Sequence, residues 1–158
     1  MFDPGEFWQI SVLMVDATLR VAAPLVLAAL GGLFAERSGI VDIGLEGKML
    51  GAAFAAASAA SLTGSAWVGV GAGVASAVAL SLIHGYASIT HHGNQVVSGM
   101  ALNVLVAGLT PVLALAWFRD SGQTPRLDGD ARFAPITLPF ADELAGVALV
   151  GDLYSEII

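Results

Sequence analysis

Three charged residues lie close together among apolar residues and glycines in a short segment that begins with a further charged pair. Asp42, Glu46 and Lys48 belong to the stretch Glu36–Lys48, which reads ERSGIVDIGLEGK. Ionisable groups at membrane depth are costly unless they face protein or water, and there they often mark a solute path. The alternative is that the segment lies in the aqueous interface and that its carboxylates only cap the next helix. The sequence alone supports either interpretation.

The glycines of this stretch predict a helix that is broken. Gly39, Gly44 and Gly47 interrupt a run of aliphatic side chains, and glycine lets the backbone bend or approach a neighbour closely. Short, glycine-interrupted apolar segments are typical of transporter binding sites, and non-helical backbone at this depth must be covered by protein or water. We therefore take Gly44 and Glu46 as candidate residues of a transport pathway.

A second polar set introduces the last long apolar stretch of the chain. Gln95 and Ser98 lie at its start, and Asn103 lies at least one helical turn inside it. A buried amide in lipid must find a hydrogen-bonding partner, which is either a polar solute or a neighbouring helix. For Asn103 the two interpretations are equally supported, and we predict that all three residues belong to the pathway. His84 fits a hydrogen-bonded interior residue better than a ligand.

Several classes of function are excluded by what the chain lacks. It has no cysteine, so it has no disulfide, thiolate metal site or cysteine nucleophile. A net charge of −7 with only six Lys and Arg argues against binding to nucleic acid. Gly47-Lys48 is followed by Met49, not by the Ser or Thr of a phosphate loop. We expect no catalytic residue, metal or cofactor; the alternative is a membrane-embedded enzyme that uses Asp42, Glu46 or His84.

The elements that must position these residues are membrane helices. The chain is 56% hydrophobic and 12% charged, with a mean hydropathy of +0.80, whereas soluble domains carry about a quarter charged residues. Gly69 and Gly73 form a small-residue face that predicts close helix packing. We predict an all-α integral membrane protein, a polytopic helical bundle of about four transmembrane helices, one of them the broken, Gly-interrupted segment. The predicted spans are residues 17–34, 43–63, 66–89 and 96–118.

Residues 119–158 have a different character, with many charges and prolines, and we predict an extracytoplasmic loop there. Its apolar piece, residues 144–151, is too short to cross a membrane and is interpreted as a short helix. We expect the chain to be truncated before the next span. Four spans place both chain ends on one side, where the tryptophans form an aromatic belt. The count of basic residues favours that side as cytoplasmic, by a small margin.

Two blocks of sequence resemble a known family of permeases. The first, from Leu19 to Ala56, reads LRVAAPLVLAALGGLFAERSGIVDIGLEGKMLGAAFAA, and the second, from Asn94 to Thr110, reads NQVVSGMALNVLVAGLT. Both resemble permeases of bacterial ABC importers, in the family that contains branched-chain amino-acid, ribose and nucleoside permeases. The nucleoside, or simple-sugar, branch is the best match, and FAPI at Phe133 to Ile136 is similar to its extracytoplasmic loop. That branch commonly has Asn where this chain has Asp42.

The resemblance implies a transmembrane permease subunit that translocates a small polar solute, a nucleoside or related sugar. It implies these partners: a second permease subunit, cytoplasmic ATP-binding subunits that hydrolyse ATP, an extracytoplasmic solute-binding protein and membrane lipid. It also implies a multi-pass protein of the bacterial plasma (inner) membrane, of which this chain is the N-terminal half. Residues 119–158 would then be outside, against the basic count, with residues 36–48 and 90–95 on the cytoplasmic side. The alternative is a structural or assembly fragment without transport activity of its own.

Overall fold

The computed structural model describes residues 4–119 and 123–133, and in this part of the chain every regular element is helical. Three of the helical stretches, Leu13–Arg37, Ala66–Thr90 and Gln95–Phe118, are long and apolar enough to cross a membrane. The predicted all-α membrane fold is therefore confirmed. The helices are α1 (Pro4–Arg37), α2 (Leu45–Thr63), α3 (Ala66–Gly85) and α4 (Gln95–Phe118), with a π-helical turn at Tyr86–Thr90 and a 3-10 turn at Gly129–Ala131.

The chain divides into two compact units, and the polar residues described below all lie in the second. The first unit comprises residues 1–29 and 134–158, of which residues 4–29 are described and belong to α1. The second unit, residues 30–133, contains the end of α1 and all of α2, α3 and α4. The short helix predicted at residues 144–151 lies outside the described residues.

Helix α1 begins earlier than the predicted span, at Pro4, a residue whose fixed φ suits the first turn of a helix. No glycine or proline follows Gly5 until Pro24, so nothing in this stretch stops the helix. Its end is a left-handed glycine cap: Gly39 has φ +86°, and the Ile40 N–H donates to the carbonyl of Ala35 at 3.1 Å. The chain is then non-helical until α2 starts at Leu45.

Helices α2 and α3 form a tight hairpin. Gly64 ends α2 with φ 69°, and its N–H donates to the carbonyl of Ala60 at 2.8 Å. Gly69 and Gly73 of α3 face α2 across the hairpin. A Cβ added to Gly69 would lie 2.8 Å from the carbonyl oxygen of Ala56, so the two backbones approach as closely as glycine allows.

Among the described residues, four of the six buried apolar side chains are alanines, and many large aliphatic side chains are exposed, which is the reverse of a water-soluble bundle. Ala60 and Ala114 are buried, whereas Leu62 is 72% exposed and Val104 is 73% exposed. In a membrane, association depends on close packing of small residues, because lipid is as apolar as leucine. The outward-facing aliphatic residues therefore suit lipid or further transmembrane helices.

Candidate functional site

The non-helical segment before α2 packs directly on the first turns of α4. Gly44, the N-cap of α2, is buried, and a Cβ added to Gly99 of α4 would lie 2.8 Å from the Gly44 nitrogen. A Cβ added to Gly44 would in turn lie 3.4 Å from the Gly99 Cα. Glycine is thus needed on α4 because backbone meets backbone here. Gly44 was singled out from the sequence, whereas Gly99 was not.

Asn103 binds the start of α2 with both ends of its amide. Its Oδ1 accepts a hydrogen bond from the Gly47 N–H at 2.8 Å, and its Nδ2 donates to the carbonyl of Ile43 at 3.0 Å. The first N–H groups of any helix lack partners within that helix. Asn103 therefore caps α2 from a neighbouring helix. It also binds the Ile43 carbonyl, which lies just before the helix.

Gln95 holds the same segment closer to the start of α4. Its Oε1 accepts a hydrogen bond from the Val41 N–H at 2.6 Å. Gln95 and Asn103 are about two helical turns apart along α4, or roughly 12 Å at 1.5 Å per residue. Residues 41–47 therefore lie along the first turns of α4 with both of these amides bound to their backbone. We call residues 41–47 the pinned segment.

Asp42 of the pinned segment belongs to a charged cluster. The Asp42 carboxylate accepts hydrogen bonds from the Lys48 ammonium, through Oδ2, and from the Gly44 N–H at 3.1 Å, through Oδ1. The same Oδ1 lies 3.9 Å from Nε2 of His84 in α3. The other ring nitrogen, Nδ1, lies 3.1 Å from the Ser98 hydroxyl of α4. This cluster connects the pinned segment to α2, α3 and α4.

The cluster is almost out of contact with solvent. Lys48 is 7% exposed and His84 is 2% exposed. Buried charges persist in proteins when they are paired, and here the ammonium and the carboxylate neutralise one another. Of the sequence-predicted pathway residues, Ser98 takes part in the cluster. Lys48 and His84 are members that the sequence interpretation did not assign to the site.

Glu46 stands apart from these contacts. Its side chain is exposed in the first turn of α2, and among the described residues it takes no part in the hydrogen bonds that hold the pinned segment. A carboxylate in the first turn is favourable because the N-terminal end of a helix carries partial positive charge. Glu46 is therefore free to contact a solute or another part of the protein.

A wide cavity of about 1030 Å³ opens beside the charged cluster. Its exposed wall is mainly apolar and includes Leu82 and Ile89 of the α3 region, while Asp42, Lys48 and His84 are three of its seven polar residues. Pockets for small molecules combine apolar walls with a few placed polar groups, and this cavity has that character. Among the described residues, no three His, Cys, Asp or Glu side chains come together as a metal site.

Comparison with known proteins shows which family the chain belongs to. The family described as "Branched-chain amino acid transport system / permease component" matches residues 14–150. The chain belongs to this family. The resemblance found in the sequence is thereby confirmed, and together with the helices described above it makes the chain a multi-pass protein of the inner membrane.

Three relatives with curated names are all ABC transporter permease proteins. A Haloferax volcanii protein, provisionally named a glucose ABC transporter permease protein, is 34% identical over 142 residues, covering 89% of this chain and 41% of the relative. The guanosine ABC transporter permease protein NupQ of Bacillus subtilis is 44% identical over 108 residues, covering 65% of this chain and 34% of the relative. The nucleoside ABC transporter permease protein NupC of Lactococcus lactis is 32% identical over 117 residues, covering 70% of this chain and 37% of the relative.

The matched region is a minor part of each relative. It spans between 34% and 41% of their lengths, so the chain corresponds to well under half of a curated permease. None of the three names assigns an enzymatic activity to a relative. No solved structure matches the chain significantly.

Proposed function

We propose that this chain forms part of the permease subunit of an ABC importer and helps to move a nucleoside or a related sugar across the membrane. The observation that carries the proposal is the family match over residues 14–150. The names of the relatives, which specify guanosine, nucleosides and glucose, support the solute class. The chain itself contributes no ATP chemistry, and partner subunits hydrolyse the nucleotide.

The partners follow from the same proposal. An importer of this kind combines two permease subunits, two cytoplasmic ATP-binding subunits and an extracytoplasmic protein that delivers the solute. Helices α3 and α4 expose aliphatic residues such as Val74 and Val104. These surfaces are available for the remaining permease helices, for the second permease subunit or for lipid.

Within the permease, the pinned segment, which includes the first turn of α2, forms part of the solute path. Backbone that is not helical at membrane depth is tolerated only where protein or water covers it. Gln95 and Asn103 of α4 cover one side of this backbone, and we propose that the solute path covers the other. Glu46 is the residue of this region that is free to bind a solute hydroxyl or amine, because its carboxylate is exposed. Gln95 and Asn103 serve the path by binding the backbone of the segment, and Ser98 serves it indirectly through its contact with His84.

This division of roles has a consequence for mechanism. Alternating access requires a transporter to populate an outward-open and an inward-open state, between which a few elements change position. The turn between α1 and α2 is a candidate hinge, because Gly39 and Gly44 interrupt the helices on either side. The bonds from Asn103 and Gln95 then define one of the positions that this turn occupies.

The experiment is uptake of labelled nucleoside by cells that express the transporter complex with single substitutions. We expect Asn103→Leu to abolish most uptake, because the Gly47 N–H and the Ile43 carbonyl both lose their partner. We expect Glu46→Gln to reduce uptake while membrane insertion and assembly stay normal. Thr110→Val is the matched control on α4, since the Thr110 hydroxyl donates at 3.0 Å to the carbonyl of Val106 in its own helix.

Two outcomes would contradict different parts of the proposal. Normal uptake by both Asn103→Leu and Glu46→Gln would show that the pinned segment is not part of the path. Failure of the unsubstituted complex to take up nucleosides or simple sugars would show that the solute class is wrong.

A further inference from the structure

An ion pair is built into the turn that leads into α2. Asp42 precedes the N-cap, Gly44, and Lys48 lies at the end of the first turn, so the two residues flank the helix start in the chain while their charged groups meet. The side chains of Lys48 and Asp42 are only 9% and 10% exposed. Separating or neutralising one member leaves the other charge buried without a partner, which is far costlier than losing an exposed pair.

His84 completes the cluster from α3. Its Nδ1 lies 3.1 Å from the Ser98 hydroxyl, and its Nε2 is fully buried without a hydrogen-bond partner among the described residues, 3.9 Å from Asp42 Oδ1. The contact between Nδ1 and the Ser98 hydroxyl orients the ring, so that Nε2 faces the Asp42 carboxylate.

We propose that Asp42, Lys48 and His84 act together as positioning residues that lock the pinned segment against α3 and α4. The opposite charges of Asp42 and Lys48 compensate each other, and the His84 ring lies between the Asp42 carboxylate and Ser98 of α4. The inference rests on the proposed function only in that the position of this segment matters for transport. The feature required is the balance of the two opposite charges, not the presence of either charge. A neutral pair of similar size at positions 42 and 48 therefore serves the same purpose.

The test is a double-mutant cycle in the assembled transporter, using Asp42→Asn, Lys48→Met and the two together. Asn keeps an oxygen that accepts from the Gly44 N–H, and Met keeps the length of the Lys side chain without its charge. We expect each single substitution to lower the initial uptake rate, or the amount of assembled complex, by at least about tenfold, because it leaves one buried charge unpaired. We expect the double substitution to restore both to within about twofold of the unsubstituted complex.

A local measurement separates this role from a general loss of folding. Hydrogen exchange at the Gly47 amide reports on the pinned segment, because that N–H donates to Asn103 Oδ1. In each single variant that assembles, we expect exchange in a peptide covering residues 41–48 to accelerate while exchange in α3 stays unchanged. The double variant should return exchange to the original rate. Ser81→Ala is the matched control, since Ser81 is an exposed residue of the same cavity, one turn before His84.

The role of His84 is tested in the same scheme. When Asp42 and Lys48 are intact, His84→Leu should lower the uptake rate or the amount of assembled complex. The effect should be much smaller when both charges have been removed, because the ring then faces no carboxylate. Additive effects in either cycle, or near-normal behaviour of both single charge variants, would overturn the proposal. The amount of assembled complex and the rate of hydrogen exchange are both measured without a solute. These two measurements therefore test the proposal even if the complex transports something other than a nucleoside or sugar.

Discussion

Replacing Gly47 by Ala is the sharpest test of how α2 meets α4. A Cβ at this position would lie 2.9 Å from the Asn103 Cα, 2.9 Å from Asn103 Oδ1 and 3.0 Å from the Leu102 carbonyl oxygen. Two of these three atoms are backbone of α4, so no side-chain rotation relieves the overlap. The start of α2 must move away from α4, and the Gly47–Asn103 hydrogen bond lengthens or breaks.

The expected change in unfolding free energy is the sum of two costs and one gain. Overpacking a closely fitted contact costs about 1–3 kcal/mol. Leaving the part-buried Gly47 N–H without its acceptor costs about 1–3 kcal/mol. Alanine is favoured over glycine inside a helix by about 1 kcal/mol, which offsets part of the loss. The net expectation is a destabilisation of about 3 kcal/mol.

The assay is equilibrium unfolding of the purified complex in mixed micelles, with uptake measured in parallel. Gly108→Ala is the matched control, because Gly108 lies within α4 and a Cβ there would meet none of the described residues within 4 Å. It should be neutral or slightly stabilising. Equal stability of the Gly47→Ala and Gly108→Ala complexes would refute the close approach of α2 to α4.

Three further predictions concern the hairpin, the cap of α4 and the topology. Gly69→Ala should destabilise the α2–α3 hairpin by about 1–3 kcal/mol in the same unfolding assay, because of overpacking, whereas Gly71→Ala, which meets no described atom within 4 Å, should not. Asn94→Ala should cost about 1 kcal/mol by thermal or micelle unfolding, because the Asn94 side chain accepts from the Val96 and Val97 N–H groups; an unchanged midpoint would contradict that cap. Single cysteines should be labelled by an impermeant reagent in whole cells at Arg126 but not at His92, and the opposite pattern would invert the orientation.

Much of the fold was predictable because lipid imposes simple rules on a sequence. Long apolar stretches must be helical, since backbone groups find no partner in lipid. The family match confirms the resemblance that the blocks Leu19–Ala56 and Asn94–Thr110 indicated. The glycines between Ile40 and Lys48 predicted an interruption, and the structure has non-helical backbone up to Gly44. Gly99 carried no comparable signal, because a single glycine in a helix does not indicate which other segment packs against it.

The polar contacts were less predictable, for a physical reason. The spacing of residues shows which side chains share a helix face, but it does not give the register of two helices that pack together. The sequence of Asn103 and its neighbours was therefore equally consistent with a solute ligand and a packing residue, and it could not show that the amide binds Ile43 and Gly47. Asp42 and Lys48 share no helix face in sequence, and they meet because α2 begins between them.

The central claim, that the chain is part of a nucleoside or sugar importer whose pinned segment borders the solute path, is tested most directly in proteoliposomes. The permease would be reconstituted with its ATP-binding subunits and solute-binding protein, and accumulation of labelled guanosine and glucose would be followed. We expect ATP-dependent accumulation of at least one of these solutes, and its near-complete loss in the Asn103→Leu complex. Accumulation of neither solute by an assembled complex that hydrolyses ATP, or unchanged accumulation in the Asn103→Leu complex, would contradict the claim.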